Sequence, residues 1–448
     1  MTRAILRMLG EWAFISVAMV IVFGMTGRLV PHHVPDTQSY LSYPFHSLDE
    51  ALRSTRTIGY PLLLKGVGST VGLQWTPLVH LLIHATASWM MLFELKRWGT
   101  PAICRWAAAL AVAFGCTSLD NINTIATDAP AASIGVMAGL QLMAWARTGR
   151  RLSVTVTFVL LCIATITLRP AYLAMIPWTV IAGPLLIYRW GRTDHRVSVV
   201  SSIRQSILLS SWIVLPVIGW IIIRGVVVND YAFLPFGHQN LAGITVQLVS
   251  EQELLALEGS PGVLAKEIVE SRERFERAGN RLAPGDAHAA LTIESRWDDY
   301  VWHIVFPAAD GLYPGDIIAS NRAAKELNQA IIRQYPVRYL RWLGLGMRRA
   351  IWGTAANIAM HPLFLVCISL WVAIEIARIV LGWRVFAPIE DEGLSALFVV
   401  AITYFFVHAG FIVLTSPPIG RFADAAAIMI PAWAAAKLTG NLLRLSRP

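Results

Sequence analysis

The stretch LSALFVVAITYFFVHAGFIVLT, residues 394–415, runs for twenty-two residues without Asp, Glu, Lys or Arg. A helix rises about 1.5 Å per residue, so about twenty apolar residues cross the hydrocarbon core of a bilayer. Lipid offers no hydrogen-bond partner to a backbone, so a lipid-embedded block of this length must be helical. Working outward from it, similar blocks fall at 11–30, 75–95, 101–118, 130–146, 153–168, 171–188, 206–226, 358–381 and 422–440. These predict an all-α polytopic membrane protein of about ten transmembrane helices. A barrel would need short alternating segments, and the sequence has none. Composition agrees: of 448 residues, 56% are hydrophobic and 15% charged, where a soluble chain would carry about a quarter charged.

The first block follows Arg3 and Arg7. It is long for a signal peptide and no small-x-small site closes it, so it reads as an uncleaved span. The stretch GYPLLLKGVGSTVGL, residues 59–73, is short, Gly-rich and interrupted by Lys65, and reads as a juxtamembrane or re-entrant element.

Basic residues orient the spans. With the N-terminus in the cytoplasm, the cytoplasmic connections hold Lys96, Arg97 and Arg105; Arg147, Arg150 and Arg151; Arg189, Arg192, Arg196 and Arg204; and Arg378 and Arg384. Lys437, Arg444 and Arg447 mark a cytoplasmic C-terminus. Every short cytoplasmic connection is then basic, as the positive-inside rule requires. The net charge of +9 is explained by this scatter between apolar blocks, so no nucleic-acid partner is expected.

This topology divides the chain into a transmembrane module over 1–226 with a first outer loop at 31–57, an extracytoplasmic domain with an interfacial helix over 227–357, and C-terminal transmembrane helices over 358–448. The outer domain is placed between spans seven and eight. Its strongest helix is predicted over Asn321–Gln334, with Ala324, Leu327 and Ile331 on one face and Pro336 stopping it. A second is predicted over Val263–Arg277. Arg338, Arg341, Arg348 and Arg349 alternate with Tyr339, Trp342, Leu345 and Trp352, the pattern of an amphipathic helix lying in the membrane interface. Its arginines read either as anchors to lipid head groups or as a landing site for a lipid-linked phosphate. The four cysteines, Cys104, Cys116, Cys162 and Cys367, all lie in apolar blocks and read as inert thiols.

The first outer loop, PHHVPDTQSYLSYPFHSLDEALRSTRTIGYPLLL over 31–64, holds the most chemistry. Asp36 lies close to the end of span one, which would hold it rigidly. A carboxylate at that boundary serves as a general base or cation ligand if it faces a cavity, and is a plain solvated loop residue otherwise. His32, His33 and His46 are near enough in sequence to offer, with Asp36, a divalent-metal alternative, but adjacent histidines point apart on a regular backbone. No cofactor is expected.

The order of span, Asp36-Thr37-x-x-Tyr40, short helix and Arg56-x-x-Gly59-Tyr60-Pro61-Leu62-Leu63-Leu64 resembles the first loop of GT-C glycosyltransferases, of the protein mannosyltransferase and lipid A aminoarabinose transferase type. The resemblance implies a GT-C-like bundle and transfer of a monosaccharide from a polyprenyl-phosphate carrier to a lipid, glycan or protein acceptor. The site would face the extracytoplasmic side of the plasma (inner) membrane of a cell envelope. It implies Asp36 as the base that deprotonates the acceptor, with Tyr40, Arg56 and Tyr60 around the substrate. Thr127-Asp128-Ala129-Pro130 stands where such enzymes carry a second acid, although Asp128 also reads as a helix N-cap. Arg169-Pro170 and Gly420-Arg421-Phe422 resemble the family's arginine elements. Arg169 and Arg421, with Arg338 and Arg341, would bind the donor phosphate, since a guanidinium forks onto phosphate oxygens; interface anchoring is the alternative for each. An in-line displacement would invert the anomeric carbon. Two other classes compete: a polysaccharide polymerase or ligase working through arginines of the long outer segment without Asp36, and a lipid-linked-sugar transporter or flippase without covalent chemistry.

Overall fold

The computed structural model describes residues 2–149, 151–191, 198–285, 289–380 and 391–443. Among them the regular structure is helical, with one isolated bridge between His32 and Thr124 and no strand. Seven helices are long and apolar enough to cross a membrane: Ile5–Met25, Leu73–Arg97, Ala102–Asn121, Asp128–Thr148, Pro170–Trp190, Val199–Val228 and Glu392–Val413. An eighth candidate is the pair Pro336–Met360 and Phe364–Ala377, which meet at 80°. The chain is therefore a polytopic all-helical membrane protein.

The difference from ten spans has local causes. Leu152–Leu168 is apolar but only 17 residues long. The last expected span is broken into Gly420–Ala427 and the 14-residue Ile430–Leu443. The span expected from residue 358 has no start there, because Pro336–Met360 runs unbroken until His361-Pro362 ends it. Arg150, Arg192, Arg196, Arg384, Arg444 and Arg447 lie outside the described residues.

Asp128–Thr148 is the central helix, with 89% of its apolar window buried. It packs on Thr76–Arg97, Leu152–Leu168, Met175–Trp190 and Glu392–Val413. Small residues allow this: a Cβ on Gly135 would fall onto the Tyr404 hydroxyl. Val199–Val228, by contrast, is only 22% buried and lies at the margin of the bundle.

The two ends of the bundle differ chemically. Near its start, the Thr76–Arg97 helix sets His80 against Ile122 and Tyr60 of the loop end. Fourteen residues on, about 20 Å along the axis, Glu94 takes two hydrogen bonds from Arg147 at 3.0 and 3.1 Å and one from Trp98 at 2.9 Å. Lys96 stands 3.8 Å from Glu11. The basic connections thus gather at the end opposite the first loop.

Between Val228 and Pro336 a set of shorter helices surrounds its own apolar core, with Ala265, Ile268, Val305, Ala324, Leu327 and Ile331 inside. The expected stripe of Ala324, Leu327 and Ile331 is buried. Its helix, Ile317–Gln334, begins earlier than the apolar spacing predicts because Asp316 caps it, accepting from the amides of Ile318 and Ala319. The second helix starts at Gly259, four residues before expected. Residues Asp299–Val305 form a π-helix. On Pro336–Met360, Trp342 is buried, and two of the four arginines are paired with carboxylates: Arg338 with Glu253 and Arg349 with Glu294, each at 2.7 Å. Arg341 and Arg348 remain exposed.

Candidate active site

Asp36 immediately precedes the short helix Thr37–Leu41, and its side chain does not cap it. Instead its Oδ1 accepts from Arg56 Nη2 at 2.6 Å. Arg56 also donates from Nε to Ser39 Oγ at 2.7 Å and from Nη1 to the Tyr40 hydroxyl at 3.2 Å. One guanidinium therefore holds three groups of a single helical turn, and the carboxylate is a half-buried paired group, not a solvated one. Asp36 Oδ2 takes no hydrogen bond among the described residues.

The loop is stitched to the rest of the bundle. His32 donates its amide to Asn123 O at 2.8 Å, and Ile125 returns an amide to His32 O at 2.9 Å. Buried Thr37 takes the Val34 amide on its hydroxyl and donates to Ile125 O, both at 2.9 Å. Tyr40 is buried edge-on to Tyr60, ring centres 4.9 Å apart. Tyr60 meets His80 Nε2 at 3.3 Å. Because His80 Nδ1 faces the Ile122 carbonyl at 3.0 Å, Nδ1 must be the donor, and a neutral ring accepts from Tyr60 at Nε2. Burial raises both tyrosine pKa values, so these phenols stay neutral at physiological pH.

A second acid–base pair adjoins the first. Asp128 lies inside the first turn of its helix, with Thr127 at the cap position. It is not a capping residue: its Oδ1 accepts from Arg169 Nη1 in a buried ion pair. Tyr40 stands between the two pairs, close enough that the charges of Arg56, Asp36 and Arg169 all act on its hydroxyl. Arg169 lies over the Phe422 ring at 4.7 Å, and Arg421 over the same ring at 5.0 Å. Among the described residues, Arg169 Nε and Nη2 make no hydrogen bond, and Arg421 makes none.

Asp36, Tyr40, Arg56, Tyr60, Asp128, Arg169 and Arg421 thus gather in one region, although they come from four separate parts of the sequence. Arg338 and Arg341 do not join it. They line a cavity among the inserted helices, where Arg338 is held by Glu253. His46 is 3.4 Å from Glu50, and no group of three or more His, Cys, Asp and Glu side chains among the described residues is placed to hold a metal.

Sequence reasoning passes over Ser39 and His80, whose roles depend on partners distant in the chain. It also passes over Arg224, which had a signal: a single arginine in an apolar block. Its side chain is fully buried and donates to Leu52 O, to Ala232 O at 2.8 Å and to Asp230. Beside Thr57 and Ile58, an apolar crevice of about 140 Å³ opens between the 152–168 and 199–228 helices, with Trp220 and Phe233 in its wall.

Gly59 sets the distance between this loop and the bundle. A Cβ there would lie 2.6 Å from the Thr167 carbonyl carbon and oxygen, and backbone cannot swing aside. Gly59→Ala should destabilise the protein by about 1–3 kcal/mol and pull Tyr60 away from His80. A lower melting temperature in detergent checks this, and an unchanged melt refutes it.

No protein-family model matches the chain, and neither curated proteins nor solved structures give a significant match. Its function has to be read from its own residues.

Proposed function

We propose that this protein is a membrane glycosyltransferase of the GT-C type. It would move a monosaccharide from a polyprenyl-phosphate carrier to a hydroxyl or amine of a lipid, glycan or protein acceptor, on the extracytoplasmic face. The observation that carries the reading is the convergence of Asp36–Arg56 and Asp128–Arg169 on either side of Tyr40. A free carboxylate oxygen and free guanidinium donors at one end of an apolar bundle are what such a transfer needs.

In this reading Asp36 Oδ2 takes the acceptor's proton while Arg56 fixes the carboxylate by its other oxygen. The acceptor oxygen or nitrogen attacks the anomeric carbon, the bond from that carbon to the phosphate oxygen breaks, and the electron pair leaves with polyprenyl phosphate. Negative charge grows on the phosphate, and Arg169 and Arg421 meet it with donors not committed elsewhere. Asp128 and Phe422 hold Arg169 in position. The crevice beside Ile58 is an apolar surface on which the first isoprene units of the carrier would rest. The full topology of ten spans, with both termini cytoplasmic, belongs to this proposal; the short helices Leu152–Leu168 and Ile430–Leu443 would cross only a thinned bilayer or at the expense of mismatch.

The test is direct. Purified protein is given a panel of radiolabelled polyprenyl-phosphate sugars with lipid and peptide acceptors. Release of polyprenyl phosphate together with a labelled product is expected, and no release from any donor overturns the proposal. One observation favours the ligase or polymerase alternative, namely the arginines gathered in the inserted helices. That alternative takes over if transfer survives loss of Asp36 and fails with loss of Arg341.

A further inference from the structure

The short helices of the inserted unit enclose a cavity of about 750 Å³ over the first turns of Pro336–Met360. At about 30 Å³ per water it has room for roughly twenty-five waters. That is far more than a single inorganic ion displaces, and it lies within the range of about 300–1,000 Å³ typical of small-molecule sites.

Its floor is one face of the Pro336–Met360 helix, where Arg338, Arg341, Trp342 and Leu345 follow each other at helical spacing. Arg272 and Arg296 stand in the walls. Glu251 pairs with Arg272, and Glu253 takes Arg338 by two hydrogen bonds at 2.7 and 2.8 Å. The hydrogen bonds from Arg338 hold the Glu253 carboxyl down at about 2, so that pair is ionised across the physiological range. Four guanidinium groups therefore face three carboxylates among the described residues, with Glu251 and Glu276 beside Arg272 and Glu253 on Arg338, and Arg341 has no hydrogen bond or ion pair there.

Two further features shape the space. Tyr300 reaches it from the π-helix Asp299–Val305 and lines it together with Arg272. Such wide turns in otherwise α-helical runs are frequent at functional sites. Trp342 spends its indole N–H on the Val413 carbonyl at 3.1 Å and is itself buried, so the apolar surface open to the space comes from Leu248, Val249 and Leu345. Tyr339 bonds to Leu414 O from the same helix, which seats the cavity on the end of the Glu392–Val413 span. Fixed positive charge beside aliphatic side chains, at the end of a membrane helix, fits a ligand that joins an anionic group to a compact ring.

We propose that this cavity binds an anionic saccharide head group, a sugar bearing phosphate or carboxylate, at a site that shares no residue with the Asp36–Arg169 cluster. The site stands independently of the transfer reading, because its test is binding and not turnover.

Full-length protein in a detergent without a sugar head is dialysed to equilibrium against radiolabelled glucose 1-phosphate, digalacturonate or neutral maltose. One or both anionic sugars should bind and maltose should not. Arg341→Gln, at an exposed side chain, should weaken binding about tenfold or more, and Arg348→Gln, on the same helix outside the cavity, should not. Equal binding of maltose, no binding of either anion, or equal affinity of the Arg341→Gln protein would each overturn the proposal. The same measurement in phosphatidylcholine nanodiscs, with and without phosphatidylinositol, separates the sources. Displacement of the sugar by phosphatidylinositol assigns the head group to a membrane lipid, and no displacement assigns it to a free glycan.

Discussion

Asp36→Asn protein should lose transfer by about 10²–10⁴-fold, the usual contribution of a positioned general base. Asparagine keeps the shape of the side chain and can still accept from Arg56 through its carbonyl, but it cannot take a proton at the position of Oδ2. The loss should fall on the chemical step: single-turnover rates drop while donor affinity, which the proposal assigns to Arg169 and Arg421, changes little. Stability should fall by only about 1 kcal/mol, because the pair being broken is partly exposed and Ser39 and Tyr40 keep their hydrogen bonds from Arg56. A matching thermal melt in detergent therefore separates the loss of a base from a loss of fold. Full activity in a folded Asp36→Asn protein removes Asp36 from the role proposed for it, whatever the enzyme's class.

Arg224→Met should be the most destabilising single change described here, at about 3–5 kcal/mol. The side chain is fully buried and supplies the hydrogen-bond donors for Leu52 O, Ala232 O and Asp230 at once. Removing it leaves two carbonyls and a carboxylate without a partner away from water. The double change Arg224→Met with Asp230→Leu should recover part of the loss, since it removes the uncompensated charge. A double variant no more stable than the single one, judged by thermal unfolding followed by tryptophan fluorescence, would show that the cost lies elsewhere. The position also has a functional meaning. Leu52 closes the second half of the first loop, so Arg224 ties that loop to the segment leading into the inserted helices.

Much of this architecture is legible from the residue order, and the reasons are local. Apolar blocks declare membrane helices because the bilayer has one thickness, and the Ala324, Leu327 and Ile331 stripe declares its buried face because helical spacing is fixed. The count of spans is less legible: a 17-residue apolar helix sits at the lower limit of what a bilayer needs, and nothing before His361-Pro362 stops the Pro336–Met360 helix. Partnerships between distant residues leave no local trace. Asp128 looks like a cap in its own neighbourhood, and only the fold brings Arg169 to it across forty-one positions. Arg338 looks like a lipid anchor until Glu253, eighty-five positions away, is seen to hold it. The first-loop acid stands out in the sequence because it follows an apolar block, although that helix ends at Met25, well before Asp36.

The small bridge between His32 and the 123–125 strand of loop has a mechanical consequence. It clamps two connections that belong to different pairs of helices, so neither can open without the other. The acid on one and the segment that leads to Asp128 on the other then behave as a single jaw. The amides of His32 and Ile125 should exchange with deuterium at the same rate in the free protein, and both should slow together when a ligand settles on either side.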